Sequence, residues 1–106
     1  MIQPGAIVIL SLQDPRQQVW GLLRALDPAG ITAEGLDIES FEGWSRCVLA
    51  GGDWRSQISV SFFPMRRVQR VLLDRGDARS PSFSERFEAR LGRSLGSLLD
   101  SPEAER

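Results

Sequence analysis

Histidine, lysine and tyrosine are absent from this chain of 106 residues. Without histidine, neither a Ser-His-Asp nor a Cys-His catalytic arrangement can form, and imidazole ligands for a metal are excluded. The 13 basic residues are all arginine, which binds carboxylates and phosphates in a bidentate geometry better than lysine does. A compositional preference for arginine explains the same count without any ligand.

Cysteine is represented by one residue, Cys47, so disulfides within the chain and cysteine-rich zinc sites are excluded. Its apolar neighbours predict a buried structural thiol rather than a reactive one. The carboxylates of Asp37, Glu39 and Glu42 lack the spacing of a metal-binding loop and are typical of a solvated acidic face. We therefore expect no cofactor and no metal.

Long hydrophobic runs are also lacking, because the apolar stretch Ala6–Leu10 is too short for a signal peptide or a membrane span. The sequence accordingly predicts a cytoplasmic protein with no membrane contact. A net charge of −1 provides no global positive field for nucleic acid. No nucleophile–base pair or phosphate-binding glycine loop is present, so we expect that the protein is not an enzyme.

Five segments have the apolar patterns of β-strands. In the fourth, alternation predicts that Ile58, Val60 and Phe62 face the core. Gly21 lies inside the second strand, where a glycine indicates a sharp bend or a close backbone approach. The predicted strands are 6–12, 18–26, 31–38, 58–63 and 67–74.

Two segments have helical spacing instead. Phe41, Trp44 and Val48 predict a short helix within Ser40–Ala50, inside an insertion at about 40–57. Ser82 and Glu85 have the spacing of a capping box, which predicts a helix from there to about Leu99, docked on the domain formed by residues 1–75. Residues 76–81 are interpreted as a linker and 100–106 as a frayed tail.

Two motifs carry a resemblance to a known family. The first is the second strand and its turn, Gly21 to Asp27, in which a glycine precedes an apolar residue by two positions and an aspartate by six. The second is Phe62 to Val71, a strand, a tight basic turn and a closing strand. Together they resemble the Sm-like family, which includes the Sm and LSm proteins and the bacterial Hfq-type RNA chaperones.

The resemblance implies a mainly β fold, a strongly bent five-stranded Sm-like or SH3-like barrel, assembled edge to edge into a ring. It also implies RNA contacts on the two turns, which here are Asp27 and Gly30 in one, and Met65, Arg66 and Arg67 in the other. Arg70, on the strand that follows, joins them as a candidate phosphate contact. The alternative is that these arginines pair with nearby carboxylates of the same chain.

Charge is distributed unevenly along the chain. Residues 27–53 contain six acidic residues and one arginine, whereas residues 54–79 contain six arginines and two aspartates. One interpretation is head-to-tail association of an acidic edge with the basic edge of a second copy. The other is that both runs are solvated faces of a monomer.

The sequence therefore predicts a non-enzymatic binding module that forms a homo-oligomer, with RNA as the ligand that the family implies. The alternative function is a protein-interaction adaptor or structural assembly subunit that uses the C-terminal helix and the insertion around Trp44 and Trp54. Its partner-binding residues would be Trp54, Phe83, Phe87 and Leu91.

Overall fold

The computed structural model describes residues 2–75 and 82–99, so the predicted linker 76–81 and tail 100–106 lie outside the described residues. Five antiparallel strands form one sheet in the order β4-β3-β2-β1-β5. The fold is therefore mainly β, as predicted. The strands are β1 (Ile7–Leu12), β2 (Gln17–Asp27), β3 (Gly30–Asp37), β4 (Ser59–Pro64) and β5 (Val68–Leu73).

The sheet is open, which corrects the prediction of a closed barrel. β4 pairs only with β3, and β5 pairs only with β1, so these two strands form the edges. The described residues contain no sixth strand that joins the edges, and β4 and β5 do not pair with each other.

A pair of glycines lets β2 and β3 approach closely at one point. Gly21 lies directly opposite Gly35 in the antiparallel register. A Cβ on Gly21 would lie 2.5 Å from the Glu34 carbonyl oxygen and 2.8 Å from the Gly35 Cα, and a Cβ on Gly35 would overlap the Trp20 carbonyl. The predicted close approach at Gly21 is therefore confirmed, and Gly35 is its partner.

One side of the sheet buries a cluster that belongs to the sheet alone. Its buried members are Val8, Leu10, Leu12, Val19, Leu23, Ile31, Ala33 and Phe63, with partly buried residues of β5 packed against them. No helix within residues 2–75 and 82–99 contributes to this cluster, so the sheet curls around its own side chains. We call this side of the sheet the concave side.

The opposite side of the sheet is covered by three helices, and we call it the helix side. Trp20 and Leu22 of β2 pack there with buried residues of α1 (Phe41–Leu49), α2 (Phe83–Leu91) and α3 (Leu95–Leu99). The rings of Trp20, Phe41, Trp44 and Phe87 form its centre, with centroid separations of 4.9–6.1 Å among the contacting pairs. These separations are typical of favourable aromatic packing.

The predicted orientation of β4 is wrong for two residues. Val60 and Phe62 are 63% and 53% exposed, whereas Phe63 is buried on the concave side. Phe63 lies opposite Ile31, and this pair fixes the register of β4. Phe62 therefore points to the helix side, at a place that the helices leave exposed. Alternation identified a strand, but two adjacent phenylalanines left its buried face ambiguous.

The C-terminal segment forms two helices instead of the single predicted one. Ser82 and Glu85 make both hydrogen bonds of the predicted capping box, with Glu85 N donating to Ser82 Oγ at 3.0 Å and Ser82 N to Glu85 Oε1 at 2.9 Å. α2 ends at Gly92, whose φ of 71° is the left-handed conformation that favours glycine. The apolar side chains of both helices nevertheless pack on the sheet, because Phe87, Leu95 and Leu98 are buried.

Asp74 connects the sheet to the first turn of α2. Its carboxylate accepts hydrogen bonds from Trp20 Nε1 at 2.8 Å, Phe83 N at 3.1 Å and Ser84 N at 2.7 Å. The Ser84 hydroxyl donates a fourth, at 2.6 Å. An acidic group at the start of a helix also interacts favourably with the helix dipole, so Asp74 fixes the position of α2 on the sheet.

The insertion contains α1 and a 3-10 turn at Arg55–Gln57. Trp44 is buried and donates a hydrogen bond to the Trp54 carbonyl at 3.1 Å, which holds this turn against α1. Ser40 precedes α1 without making a side-chain capping bond. Cys47 is half-buried rather than buried as predicted.

Candidate functional site

The two turns that the resemblance assigns to RNA lie side by side at one end of the sheet. Gly30 pairs with Pro64, and Met65 N donates to the Ala29 carbonyl at 2.9 Å. Because Pro64 leads directly into a 3-10 turn at Met65–Arg67, the β2–β3 and β4–β5 turns form one surface. We call this surface the turn end.

Two candidate residues of the turn end already have structural roles. The Asp27 carboxylate accepts hydrogen bonds from Ala29 N at 2.8 Å and Gly30 N at 3.2 Å, which is an Asx turn. Gly30 is buried, and a Cβ there would overlap the Phe63 carbonyl and the Phe62 ring. The local fold accounts for both residue types, so neither identity requires a ligand.

Arg67 is engaged within the chain. Its guanidinium donates to the carbonyl oxygens of Gln13 at 3.1 Å and Pro15 at 3.0 Å, and to Gln17 Oε1 at 3.3 Å. These contacts attach the β1–β2 turn to the turn end. In this conformation Arg67 is a structural link between turns and not a free phosphate contact.

Arg66 and Met65 are exposed candidates at the turn end, and so is Asp27. The Met65 side chain is exposed on the 3-10 turn. Arg66 uses only its backbone carbonyl, which accepts from Gln13 Nε2 at 3.0 Å. Its guanidinium makes no hydrogen bond or ion pair with the part of the chain that the structure describes. Arg66 is therefore available to a phosphate.

Arg70 lies at a different place, an open polar groove of about 670 Å³ on the helix side. Arg66 and Met65 are not part of its lining. The groove brings Arg70 together with residues from the ends of β1, β2 and β3, and with Arg16 in the β1–β2 turn. The six predicted ligand contacts therefore divide between two surfaces.

The four predicted partner-binding residues belong to the core or its border. Phe87 is fully buried, stacked on Trp44 at 5.1 Å. Phe83 and Leu91 are half-buried against the same cluster, and so is Trp54, which packs edge-to-face on Trp44 at 6.3 Å. Phe87 cannot contact a partner in this conformation, and most of the surface of Phe83, Leu91 and Trp54 is covered by the core.

Sequence reasoning missed three residues that the structure makes prominent. Val60 and Phe62 are exposed apolar residues on an edge strand, and Arg16 is an exposed arginine that lines the polar groove. No sequence pattern distinguishes Val60 and Phe62 from core residues. For Arg16, its place in a turn near Gln17 and Gln18 was the available signal.

Within residues 2–75 and 82–99, no three His, Cys, Asp or Glu side chains are grouped so that they could hold a metal ion. None of the helices in these residues is long and apolar enough to cross a membrane.

Comparison with family models, with curated proteins and with solved structures finds no match to this chain. The resemblance to the Sm-like family therefore stays a prediction that depends on the residues of the two motifs.

Proposed function

We propose that this protein is a non-enzymatic binding module that associates with copies of itself through the edges of its sheet and binds RNA at the turn end. The observation that carries the proposal is the apolar, unpaired edge formed by β4. The exposed fractions of Val60 and Phe62, 63% and 53%, are the largest among the exposed large apolar side chains.

An unpaired edge is a template for another strand. Soluble proteins usually protect such edges with charged residues, bulges or covering elements. β4 has the sequence Ser-Val-Ser-Phe-Phe-Pro, which contains no charged residue. Its proline restricts one end only, so the segment from Ser59 to Phe63 remains able to pair.

The other edge has a related character. Leu72 of β5 is 39% exposed and lies opposite Ile9, on the helix side where Val60 and Phe62 also project. Pairing β4 of one copy with β5 of another would satisfy unpaired backbone groups on both strands. It would also remove these three apolar side chains from water, at about 25 cal/mol per Å² of apolar area buried.

The uneven charge distribution supports a head-to-tail arrangement. β5 and its flanking turns carry Arg66, Arg67 and Arg70, whereas residues 27–53, which precede β4, contain six acidic residues and one arginine. Such an arrangement places unlike surfaces in contact and closes into a ring where the rotation between copies permits it.

A variant of Phe62 tests the edge. Phe62→Asp introduces a charge on the exposed face of β4, and we expect it to lower the sedimentation coefficient to that of a monomer. Leu49→Asp is the matched control, because Leu49 is 49% exposed on α1 and belongs to neither edge strand. Equal behaviour of the two variants contradicts an interface at β4.

RNA binding is assigned to the turn end because Arg66 is exposed and without a partner among the described residues. Guanidinium–phosphate contacts are strong and salt-dependent. We expect a labelled single-stranded RNA to bind less tightly as salt rises from about 50 to about 200 mM.

Arg66→Gln should weaken this binding several-fold, whereas Arg46→Gln, which removes an exposed arginine of α1, should not. Fluorescence anisotropy measures both affinities. Absence of salt-sensitive binding, or equal affinities for the two variants, contradicts the RNA assignment and leaves the edge assignment standing.

A further inference from the structure

The polar groove on the helix side is built by several elements that meet at one end of the sheet. Its floor is a row of three side chains from adjacent strands, since Ser11 lies opposite both Arg70 and Gln18 in register. Gln18 Nε2 donates to Ser11 Oγ at 3.3 Å, which orders the centre of this row. The groove is about 670 Å³ and so has the size of a small-molecule site.

An irregularity in β5 adds another polar side chain to the groove. The β1–β5 register shifts between Ser11, which faces Arg70, and Leu12, which faces Val68, so Gln69 is the extra residue of a β-bulge. Bulges redirect side chains and are frequent beside functional sites. Gln69 is exposed and lines the groove.

Two arginines provide the positive part of the groove. Arg16 and Arg70 both line it and are exposed. Neither guanidinium makes a hydrogen bond or ion pair with the residues that the structure describes. Two free guanidinium groups beside one groove are suited to a doubly charged phosphate monoester, which accepts several charge-assisted hydrogen bonds.

Two carboxylates provide another part of the lining. Asp37 accepts a hydrogen bond from Gln17 Nε2 at 2.6 Å, and Gln17 in turn accepts from Arg67, so this carboxylate is held in place. Glu39, two residues later, is exposed and lines the same groove. Carboxylates accept hydrogen bonds from sugar hydroxyls, as the acidic residue of dinucleotide-binding folds does with ribose.

We propose that this groove binds a phosphorylated sugar unit, with its phosphate at Arg16 and Arg70 and its hydroxyls at Asp37 and Glu39. The mixture of charges selects this class of ligand. A continuous polyanion would place further phosphates near the two carboxylates, whereas a neutral sugar would leave both arginines without an anion. A sugar phosphate satisfies both parts, and the amides of Gln18 and Gln69 complete the hydrogen bonding.

The same chemistry occurs in a free sugar phosphate and in a nucleotide. Ribose 5-phosphate and adenosine monophosphate are therefore titrated separately into the ¹⁵N-labelled full-length protein and followed by NMR. We expect both to shift the side-chain amide signals of Gln18 and Gln69. Tighter binding of adenosine monophosphate than of ribose 5-phosphate indicates a nucleotide as the source. Equal binding of the two indicates that the sugar phosphate alone is recognised.

Variants of the two arginines give the decisive comparison. Arg16→Gln and Arg70→Gln should each weaken binding of ribose 5-phosphate by about tenfold, the loss expected for one charge-assisted contact. Arg46→Gln is the matched control and should leave the affinity unchanged. Inorganic phosphate should bind more weakly than ribose 5-phosphate, because it does not reach the carboxylates.

The proposal is overturned if ribose 5-phosphate causes no shifts, if the arginine variants bind it like the control, or if inorganic phosphate binds equally well. These outcomes are independent of the RNA assignment, which depends on Arg66, and of the edge assignment, which depends on Phe62. Loss of RNA binding in Arg66→Gln with unchanged sugar phosphate binding would separate the two surfaces.

Discussion

Single residues determine how closely the strands of this sheet approach. Gly35 lies where β3 passes the Trp20 carbonyl of β2, and its partner Gly21 occupies the equivalent position on the other strand. The sequence drew attention to Gly21 because it interrupts an apolar strand. Gly35 lies inside the predicted third strand in the same way, but its pairing with Gly21 becomes visible only when the two strands are aligned.

Replacing Gly35 by alanine should destabilise the fold by about 3 kcal/mol, because the new Cβ overlaps backbone atoms that cannot move independently. Gly43→Ala is the control. Gly43 lies in α1 with open space around it, and alanine there should stabilise the fold by about 0.5–1 kcal/mol. Urea denaturation measures both free energies of unfolding, and a Gly35→Ala protein as stable as wild type contradicts the close approach.

Asp74 is the second position where one side chain organises its surroundings. Asp74→Ala leaves four donors without their acceptor, including the Trp20 indole and two backbone N–H groups of α2. We expect a loss of about 3 kcal/mol in the free energy of unfolding, in keeping with unsatisfied part-buried donors. Asp53→Ala, at an exposed loop position, should be nearly neutral in the same chemical denaturation experiment.

Among the elements, the strands could be predicted well and the faces of β4 could not. Alternation and turn residues indicated five strands, and all five are present within a few residues of the predicted limits. The orientation of β4 depends on the Phe63–Ile31 pair, which is a contact between distant segments. An exposed apolar row on an edge strand also has the same pattern as a buried one, so the sequence could not distinguish them.

The C-terminal helices show a similar limit. The apolar stripe from Phe83 to Leu98 predicts a single helix, since helical periodicity continues through Gly92. The structure ends α2 there and begins α3 at Leu95, and the stripe still reaches the core. Gly92 and Gly96 both lower the helix propensity of this segment, but of the two only Gly92 adopts a positive φ.

This difference predicts opposite effects at the two glycines. Gly92→Ala forces an alanine into the left-handed conformation and should cost about 1 kcal/mol of stability. Gly96→Ala should be neutral or stabilising by up to about 1 kcal/mol, because Gly96 lies in α3 with open space around it. Thermal unfolding followed by circular dichroism compares them, and a stabilising Gly92→Ala contradicts the break between α2 and α3.

At the scale of the whole molecule, the sequence indicated a five-stranded sheet, but it did not indicate that the sheet is open or which of its surfaces are free. The two turns assigned to RNA do meet, yet Arg67 is used to join turns and Arg70 lies in a separate groove. Arginine side chains are long and can reach several acceptors, so their spacing along the chain does not reveal which guanidinium groups are free. The open edges became visible only from the strand order, and they are the basis for the proposed association.

The mass of the wild-type protein in solution tests that association most directly. One copy has a mass of 11.8 kDa. Multi-angle light scattering after size exclusion, over a range of loading concentrations, should give the mass of two or more copies, because pairing of β4 with β5 covers edges that are otherwise exposed. A mass of 11.8 kDa at every concentration would contradict assembly through the edges of the sheet.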